Sequence, residues 1–266
     1  NLAIALFVGL ILGIGFAVLV EFRDRTIKTQ DDVEGLGVPF LGIVPSIDSS
    51  SGHGGGYYEG GARKKGKRKR RKVASEAEAP ADINFDNYVH EFPKSQVAES
   101  MRSIRTNLLF MSTDRTLKRL LVTSPSPQEG KTTVAANLAI VMAQSGTRVL
   151  LVDTDMRRPR VHKAFGIERP RAGISTMVLG ESDAEGSIAH TAIPNLDVLV
   201  CGPTPPNPSE LIHTEAFHRV VAEISARYDR VIFDSPPIGV VTDAAILSKL
   251  VDGTVLIVKS QKTTRD

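Results

Sequence analysis

Hydrophobic residues in this chain form one long uninterrupted run and, much further along, several short runs. Residues 2–20 (LAIALFVGLILGIGFAVLV) contain neither a charged residue nor proline. A helix of this length matches the hydrocarbon core of a bilayer, and a soluble helix is rarely apolar on every face over so many residues. The pattern therefore predicts a transmembrane helix over residues 1–20.

The charges beside this run indicate its orientation. A signal peptide would begin with basic residues, whereas here Arg23, Arg25 and Lys28 follow the run. By the positive-inside rule, the C-terminal side is expected in the cytoplasm. Because the chain starts with Asn1 within the apolar run, we expect a piece of a longer protein. Gly9 and Gly13 form a GxxxG motif, and whether it pairs two helices stays open.

Short hydrophobic runs separated by amphipathic stretches follow from residue 82 onward, which is typical of a parallel α/β sheet. The runs are RLLVTS at 119–124, RVLLV at 148–152, RVIF at 230–233 and TVLIV at 254–258. A helical pattern over residues 134–144 stops at Ser145 and Gly146.

The first strand leads into a candidate phosphate-binding loop. It runs Ser126, Pro127, Gln128, Glu129, Gly130, Lys131, Thr132, Thr133 and opens the helical pattern. In such a loop the backbone amides and the lysine hold phosphate oxygens, and the threonine hydroxyl binds Mg²⁺. The general pattern has glycine where Pro125 stands here. A lysine at a helix N-terminus is unfavourable unless an anion is present, which favours the phosphate interpretation.

Aspartates follow two of the other predicted strands. Asp153 and Asp155 end one strand, and Asp234 ends another. The carboxyl ends of parallel strands meet at one crevice, where carboxylates can bind Mg²⁺ or accept a proton from a hydroxyl. A single aspartate here would be read as a helix cap, but three together with the loop indicate a nucleotide site.

Residues 46–81 are rich in glycine, serine and like charges, which predicts a disordered linker. It contains nine basic residues in ten from Arg63 to Lys72 (RKKGKRKRRK). Such a run could bind nucleic acid or act as a solvated spacer. With a membrane helix nearby, we instead expect attraction to an anionic membrane surface, and no nucleic acid is expected.

Composition changes this picture only slightly. The chain has 33 basic and 30 acidic residues; without the nine of the basic run, 24 basic residues remain and the net charge becomes −6. One cysteine excludes an intramolecular disulfide, and the six histidines show no zinc-ligand spacing. The folded part is therefore expected to be mildly acidic and to face a reducing compartment.

The motifs TSPSPQEGKTT, VLLVDTDMRRP and VIFDSPP together resemble the bacterial tyrosine kinases that regulate capsule and exopolysaccharide export. Residues 21–45 resemble the juxtamembrane end of a Wzz-like chain-length-determinant region, and residues 82–266 resemble the kinase domain. The resemblance implies an α/β P-loop NTPase domain, with a mostly parallel sheet flanked by helices, preceded by one transmembrane helix.

The resemblance also implies residue roles. Lys131 would bind the ATP phosphates, Thr132, Asp155 and Asp234 would serve Mg²⁺, and Asp153 would be the base. The implied nucleotide contacts are Ser126, Pro127, Gln128, Glu129, Gly130, Lys131, Thr132, Thr133 and Arg157. Glu99, Arg102 and Arg105 match the family's oligomerisation motif, with spacing that places them on one helix face.

Further expectations follow from the family. They are a homo-oligomeric ring that phosphorylates in trans, partners in polysaccharide polymerisation and export, and a bacterial inner membrane with the kinase domain in the cytoplasm. The chain stops where a tyrosine-rich tail would follow, so we expect a C-terminally truncated domain. Tyr57 and Tyr58 are possible phosphosites, whereas Tyr228 is expected to pack.

Two alternatives stay open. One is an ATP-hydrolysing membrane-associated switch of the ParA/MinD type, although those proteins place a second lysine where Ser126 stands. The other is a non-catalytic scaffold, which Gln128 supports because the family usually has glycine there.

Overall fold

The computed structural model describes residues 7, 9, 11–16, 22–23, 25–46, 84–111, 117–168 and 171–264. The predicted linker apart from Ser46, with its basic run and with Tyr57 and Tyr58, lies outside these residues. Residues 11–16, within the predicted transmembrane segment, are helical and exposed. In the described part of the chain, no helix has the length and apolar character needed to cross a bilayer.

A six-stranded sheet organises the domain. Its strands are β1 (Arg119–Thr123), β2 (Val149–Asp153), β3 (Ile188–His190), β4 (Leu196–Leu199), β5 (Arg230–Asp234) and β6 (Gly253–Leu256), in the order β3-β4-β2-β5-β1-β6. All neighbouring strands are parallel except β3, which runs antiparallel to β4. The predicted mostly parallel sheet is confirmed, and the four predicted strands lie within two residues of their expected bounds, whereas β3 and β4 were not predicted.

Helices connect the strands and cover both faces of the sheet. They are α1 (Gln30–Glu34), α2 (Tyr88–Glu91), α3 (Gln96–Phe110), α4 (Lys131–Gln144), α5 (Val161–Ala164), α6 (Ile174–Val178), α7 (Ala184–Ser187), α8 (Pro208–Ile212), α9 (Glu215–Arg227) and α10 (Asp243–Leu247), with 3₁₀ turns at Phe85–Asn87 and Ser248–Leu250. Helices α3 and α4 cover one face, and α6 and α9 cover the other.

Side chains of the central strands alternate between two hydrophobic cores. In β1, Leu120 and Val122 point to the core under α4, whereas Leu121 points to the core under α9. Successive residues of a strand face opposite sides, so a strand covered on both sides is apolar throughout. This double burial explains why the strand sequences are continuous hydrophobic runs.

Residues 25–46, which follow the predicted membrane segment in the sequence, pack on the domain. The amide of Ile27 donates to the Thr263 carbonyl at 2.9 Å, and the amide of Gln261 donates back to the Ile27 carbonyl at 2.9 Å. Ile27 is buried, and Leu41 packs against the core that contains α4. The Asn107 side chain donates to the Leu41 carbonyl at 2.8 Å. Residues 25–46, before the linker, and the described residues from 84 onward, after it, therefore share one core.

Candidate active site

The loop between β1 and α4 has the backbone shape of a phosphate cradle. Gly130, at the start of α4, has φ 89° and carries no side chain over the first amides of the helix. Those amides point out of the helix end and are available to an anion. Behind the loop, a Cβ on Gly239 would lie 2.4 Å from the Pro125 carbonyl oxygen, so glycine allows the segment after β5 to approach.

Gln128 occupies a left-handed backbone conformation, with φ 63°. Such a conformation costs a residue with a side chain about 1–2 kcal/mol, whereas glycine adopts it freely. The glycine that the sequence resemblance implies at this position would suit the loop, and Gln128 keeps the loop shape at a conformational cost.

Three carboxylates meet beside the loop because of strand register. Asp153 and Asp234 are directly paired residues of the neighbouring strands β2 and β5. Asp155 follows two residues after Asp153, and all three are buried. The Thr154 amide and hydroxyl both donate to the Asp234 carbonyl, at 2.8 and 2.7 Å, which ties the two strand ends together.

Lys131 contacts this carboxylate group. Its ammonium lies 3.2 Å from Asp155 Oδ2, and both side chains are mostly buried. Thr132, the next residue, is also buried. The predicted phosphate-binding lysine and one predicted metal-binding carboxylate are therefore ion-paired with each other in this structure.

Asp153 is held by its own loop. Its Oδ2 accepts from the amides of Arg160 and Val161, both at 3.0 Å, and its Oδ1 accepts from the Asp155 amide at 3.2 Å. Burial, followed by the neighbouring Asp234, raises the pKa of Asp153, and the two amides of the loop oppose the rise. A carboxyl with a raised pKa can take up a proton closer to neutral pH than an ordinary aspartate.

Asp234 lacks the support that Asp153 has. Neither of its buried carboxyl oxygens has a hydrogen-bond partner within the described ranges. Burial raises the pKa of Asp234, and the nearby Lys131 ammonium, followed by the Thr132 hydroxyl, opposes the rise. Unsatisfied buried oxygens beside a phosphate loop fit a role toward a bound cation or its water.

Arg157 lies at the outer edge of the carboxylate group. Its Nε donates to Asp243 Oδ2 at 2.9 Å, and its Nη2 donates to Asp243 Oδ1 at 3.1 Å and to Ser209 Oγ at 2.8 Å. Asp243 is fully buried at the start of α10. Arg157 is thus an ordered part of the site, and Asp243 and Ser209 are residues that sequence reasoning missed.

Two further carboxylates support the loop. Asp86, which precedes α2, accepts a hydrogen bond from the Thr133 hydroxyl and lies 3.1 Å from Arg160 Nη2. Glu129 accepts from the Ser126 amide at 3.0 Å and from the Thr263 hydroxyl. Asp86 was missed because nothing in its local sequence marks it, and its partners lie 47 and 74 residues away.

The predicted oligomerisation residues divide between two environments. Glu99 and Arg102 form an ion pair on the outside of α3. Arg105 instead turns toward the domain and donates to the Val141 carbonyl of α4 at 3.0 Å. Tyr228 is half-buried, and its hydroxyl donates to Asp197 at 2.8 Å, as expected for a packing residue. Glu99 is therefore directed away from the domain, Arg102 is partly exposed and also donates to the Pro93 carbonyl at 2.7 Å, and Arg105 is turned inward.

The sequence of this chain is similar to those of known proteins. A family model described as an AAA domain matches residues 128–264. The chain is 47% identical over 174 residues to the tyrosine-protein kinase YwqD of Bacillus subtilis, covering 65% of this chain and 73% of that protein. It is 40% identical over 167 residues to the tyrosine-protein kinase Wzc of Salmonella typhimurium, covering 63% of this chain but only 23% of Wzc.

Solved structures agree as well. The kinase domain of the Escherichia coli tyrosine kinase ETK superposes with a TM-score of 0.72 at 27% identity, covering 90% of this chain and 85% of that one. The chimerical protein CapA2B2 superposes with a TM-score of 0.69 at 36% identity, covering 86% and 84%. With the phosphate loop and the carboxylates at adjoining strand ends, these likenesses establish that the chain belongs to the bacterial tyrosine-protein kinase family.

Proposed function

We propose that this protein is an ATP-dependent protein-tyrosine autokinase that regulates polymerisation and export of an exopolysaccharide or capsule. The observation that carries the proposal is the meeting of the phosphate loop with Asp153, Asp155 and Asp234 at one edge of the sheet. The membership of the family supports protein-tyrosine kinase activity. The polysaccharide role rests on the sequence resemblance.

ATP fits the loop in the following way. The amides of residues 126–133 and the Lys131 ammonium would hold its phosphates, with Lys131 leaving Asp155 to do so. Thr132, Asp155 and Asp234 would hold Mg²⁺, which neutralises charge on the phosphates when bound. The unpartnered oxygens of Asp234 fit this task. Within the described ranges no three acidic, histidine or cysteine side chains form a metal cage by themselves.

Asp153 is proposed as the base for the acceptor hydroxyl. Burial and the neighbouring Asp234 raise its pKa, so it can hold the proton that tyrosine releases. Its three backbone amide donors fix its orientation. The Asp153→Asn variant is expected to lose phosphotyrosine formation at least 100-fold while ATP binding changes less than threefold.

We also propose the domain organisation and location. A transmembrane helix at residues 1–20 would anchor the chain in the bacterial inner membrane, with residues 21–45, the linker 46–81 and the kinase domain 82–266 in the cytoplasm. The basic run from Arg63 to Lys72 would bind anionic lipids. This proposal is supported by the hydropathy and charge pattern of the sequence.

A ring of subunits that phosphorylate each other is proposed from the oligomerisation motif. Glu99 is its most exposed member and is ion-paired with the partly exposed Arg102, so we expect the double charge reversal Glu99→Arg with Arg102→Glu to give monomers in light scattering. Arg105 is unsuitable for this test because its contact with α4 supports the fold. An unchanged assembly would show that these two residues do not form the interface.

The central experiment incubates the chain with labelled ATP and measures phosphotyrosine and free phosphate separately. Lys131→Met is expected to lose both signals, and Lys249→Met, an exposed lysine outside the site, is the matched control. Phosphate release without phosphotyrosine would favour the ParA/MinD-like switch. The absence of both signals in the parent chain would favour the scaffold.

Phosphopeptide mapping tests Tyr57 and Tyr58, and finding both unmodified in active protein would exclude them as sites.

A further inference from the structure

The order of strands defines two sides of the carboxylate group. The phosphate loop leaves β1, and β5, β2 and β4 follow in that order across the sheet. Asp234 and Asp153 end β5 and β2, so the segment after β4, residues 200–207, lies on the side away from the loop. Bound nucleotide would occupy the loop side. The acceptor would therefore approach from the side of the segment after β4.

A small cavity lies on that side. It has a volume of about 190 Å³ and is lined by Arg157, Pro206, Asn207, Pro208, Ser209 and Glu210; we call it the Arg157 cavity. A cavity of roughly 150 Å³ can hold a benzene molecule. The Arg157 cavity, an open depression of the surface, is thus large enough for one aromatic ring to lie on it, and the exposed Pro206 supplies apolar surface beside Arg157.

The guanidinium group of Arg157 is held in a fixed orientation beside this cavity. Asp243 binds its Nε and Nη2 in a two-point pair, and Ser209 binds Nη2 while donating to Asp243 at 2.6 Å. A fork of this kind fixes the guanidinium plane before any ligand arrives. Since 40% of the Arg157 side chain remains exposed, part of it is open to a ligand.

The charges here favour an aromatic ring over an anion. The fully buried Asp243 compensates the charge of Arg157, and Glu210 adds a further carboxylate to the lining. A phosphate would meet weak net attraction at such a place. Stacking on a guanidinium plane needs no net positive charge, because the face of a delocalised cation packs well on an aromatic ring.

We propose that the Arg157 cavity binds the ring of the acceptor tyrosine, stacked on the guanidinium of Arg157. Arg157 is then a specificity residue for the acceptor rather than a nucleotide contact, an inference that rests on the proposed kinase function. In the transfer, the phenol O–H bond breaks and its proton passes to Asp153. The phenol oxygen bonds to the γ-phosphorus, whose bond to the bridging oxygen breaks and leaves ADP.

The test measures peptide binding, which does not depend on turnover. The full chain in detergent, with Mg²⁺ and a non-hydrolysable ATP analogue, is titrated with a fluorescent peptide of residues 54–61 (GGGYYEGG). Two further peptides replace both tyrosines by phenylalanine or by leucine. The enzymes compared are the parent, Arg157→Lys, which keeps the charge but not the plane, and Arg227→Lys, an ion-paired arginine at the opposite edge of the sheet.

The leucine peptide is expected to bind the parent and Arg227→Lys about tenfold more weakly than the tyrosine peptide does, and the phenylalanine peptide less than twofold more weakly. In Arg157→Lys the loss of affinity caused by replacing both tyrosines with leucine should fall to about twofold or less. The proposal would be overturned if the leucine peptide lost the same affinity for Arg157→Lys as for the parent. It would also be overturned if Arg157→Lys bound only the ATP analogue more weakly. Should Arg157→Lys fail to fold, Ser209→Ala, which removes one of the bonds that fix the guanidinium plane, provides the same comparison. Peptide binding of the expected pattern without any phosphotyrosine would refute the kinase function alone.

Discussion

Replacing Asp234 by asparagine removes a charge that the fold buries at a cost. Asp234 is fully buried, its carboxyl oxygens have no hydrogen-bond partner in the described part of the chain, and Asp153 lies beside it. The effective penalty for burying an ionised carboxylate is several kcal/mol, part of which Lys131 offsets. We expect Asp234→Asn to raise the free energy of unfolding by about 2 kcal/mol at pH 8, or about 4–8 °C in Tm.

This gain should depend on pH in a defined direction. Burial raises the pKa of Asp234 above the ordinary value of about 4. Below that pH the carboxyl is protonated in both the folded and the unfolded chain, so the variant gains little. As the pH rises toward the native pKa, only the unfolded chain releases its proton, which destabilises the parent. The advantage of asparagine therefore grows from about pH 4 upward and becomes constant above the native pKa.

Thermal unfolding followed by circular dichroism, without nucleotide, measures the effect at several pH values. Asp229→Asn is the matched control, because the hydrogen bond from Arg148 lowers the pKa of this exposed carboxyl. Asp229 contributes stability above its unfolded pKa, so its variant should lose stability as the pH rises rather than gain it. An Asp234→Asn variant with an unchanged or lower Tm at pH 8, or a gain independent of pH, would refute the reasoning.

Three further variants test the loop and the packing. Gln128→Gly is expected to gain about 0.5 kcal/mol in urea unfolding, since relief of the left-handed conformation exceeds the added unfolded-state entropy; Gln128→Ala, which keeps the strain, should show no gain. Arg105→Ala should lose about 1 kcal/mol with its bond to the end of α4, whereas Arg227→Ala, in an exposed pair, should lose less than about 0.5 kcal/mol. Ile27→Ala should lose about 2 kcal/mol in the same assay if residues 25–46 stay packed in solution, and exposed Val38→Ala should lose little.

Much of the site was predictable because it depends on strand ends. The runs at 119–124, 148–152 and 230–233 marked buried parallel strands, and parallel strands place their carboxyl ends on one edge. The register that pairs Asp153 with Asp234 then follows from the packing of β2 against β5. Strand bounds shifted by a residue, as at β2, because hydrogen bonding rather than hydrophobicity decides where a strand ends.

Other parts of the site could not be read from the chain. Asp86 meets Thr133, and Arg157 meets Asp243, across 47 and 86 positions of sequence. A single aspartate or serine has many common roles, and only the packing of separate helices selects one partner. The inward turn of Arg105 has the same origin, since a helix pattern defines a face but not the neighbour on it.

The sequence by itself determined four of the six strands, the phosphate loop and the aspartates at the strand ends, because hydrophobic period, loop composition and strand polarity are local properties. The tertiary structure decided which side chains meet. It forms the Lys131–Asp155 ion pair, fixes Arg157 against Asp243 beside the Arg157 cavity, and packs residues 25–46 on the core that contains α4. These contacts join residues distant in sequence, and their formation depends on how the helices and strands pack around one another.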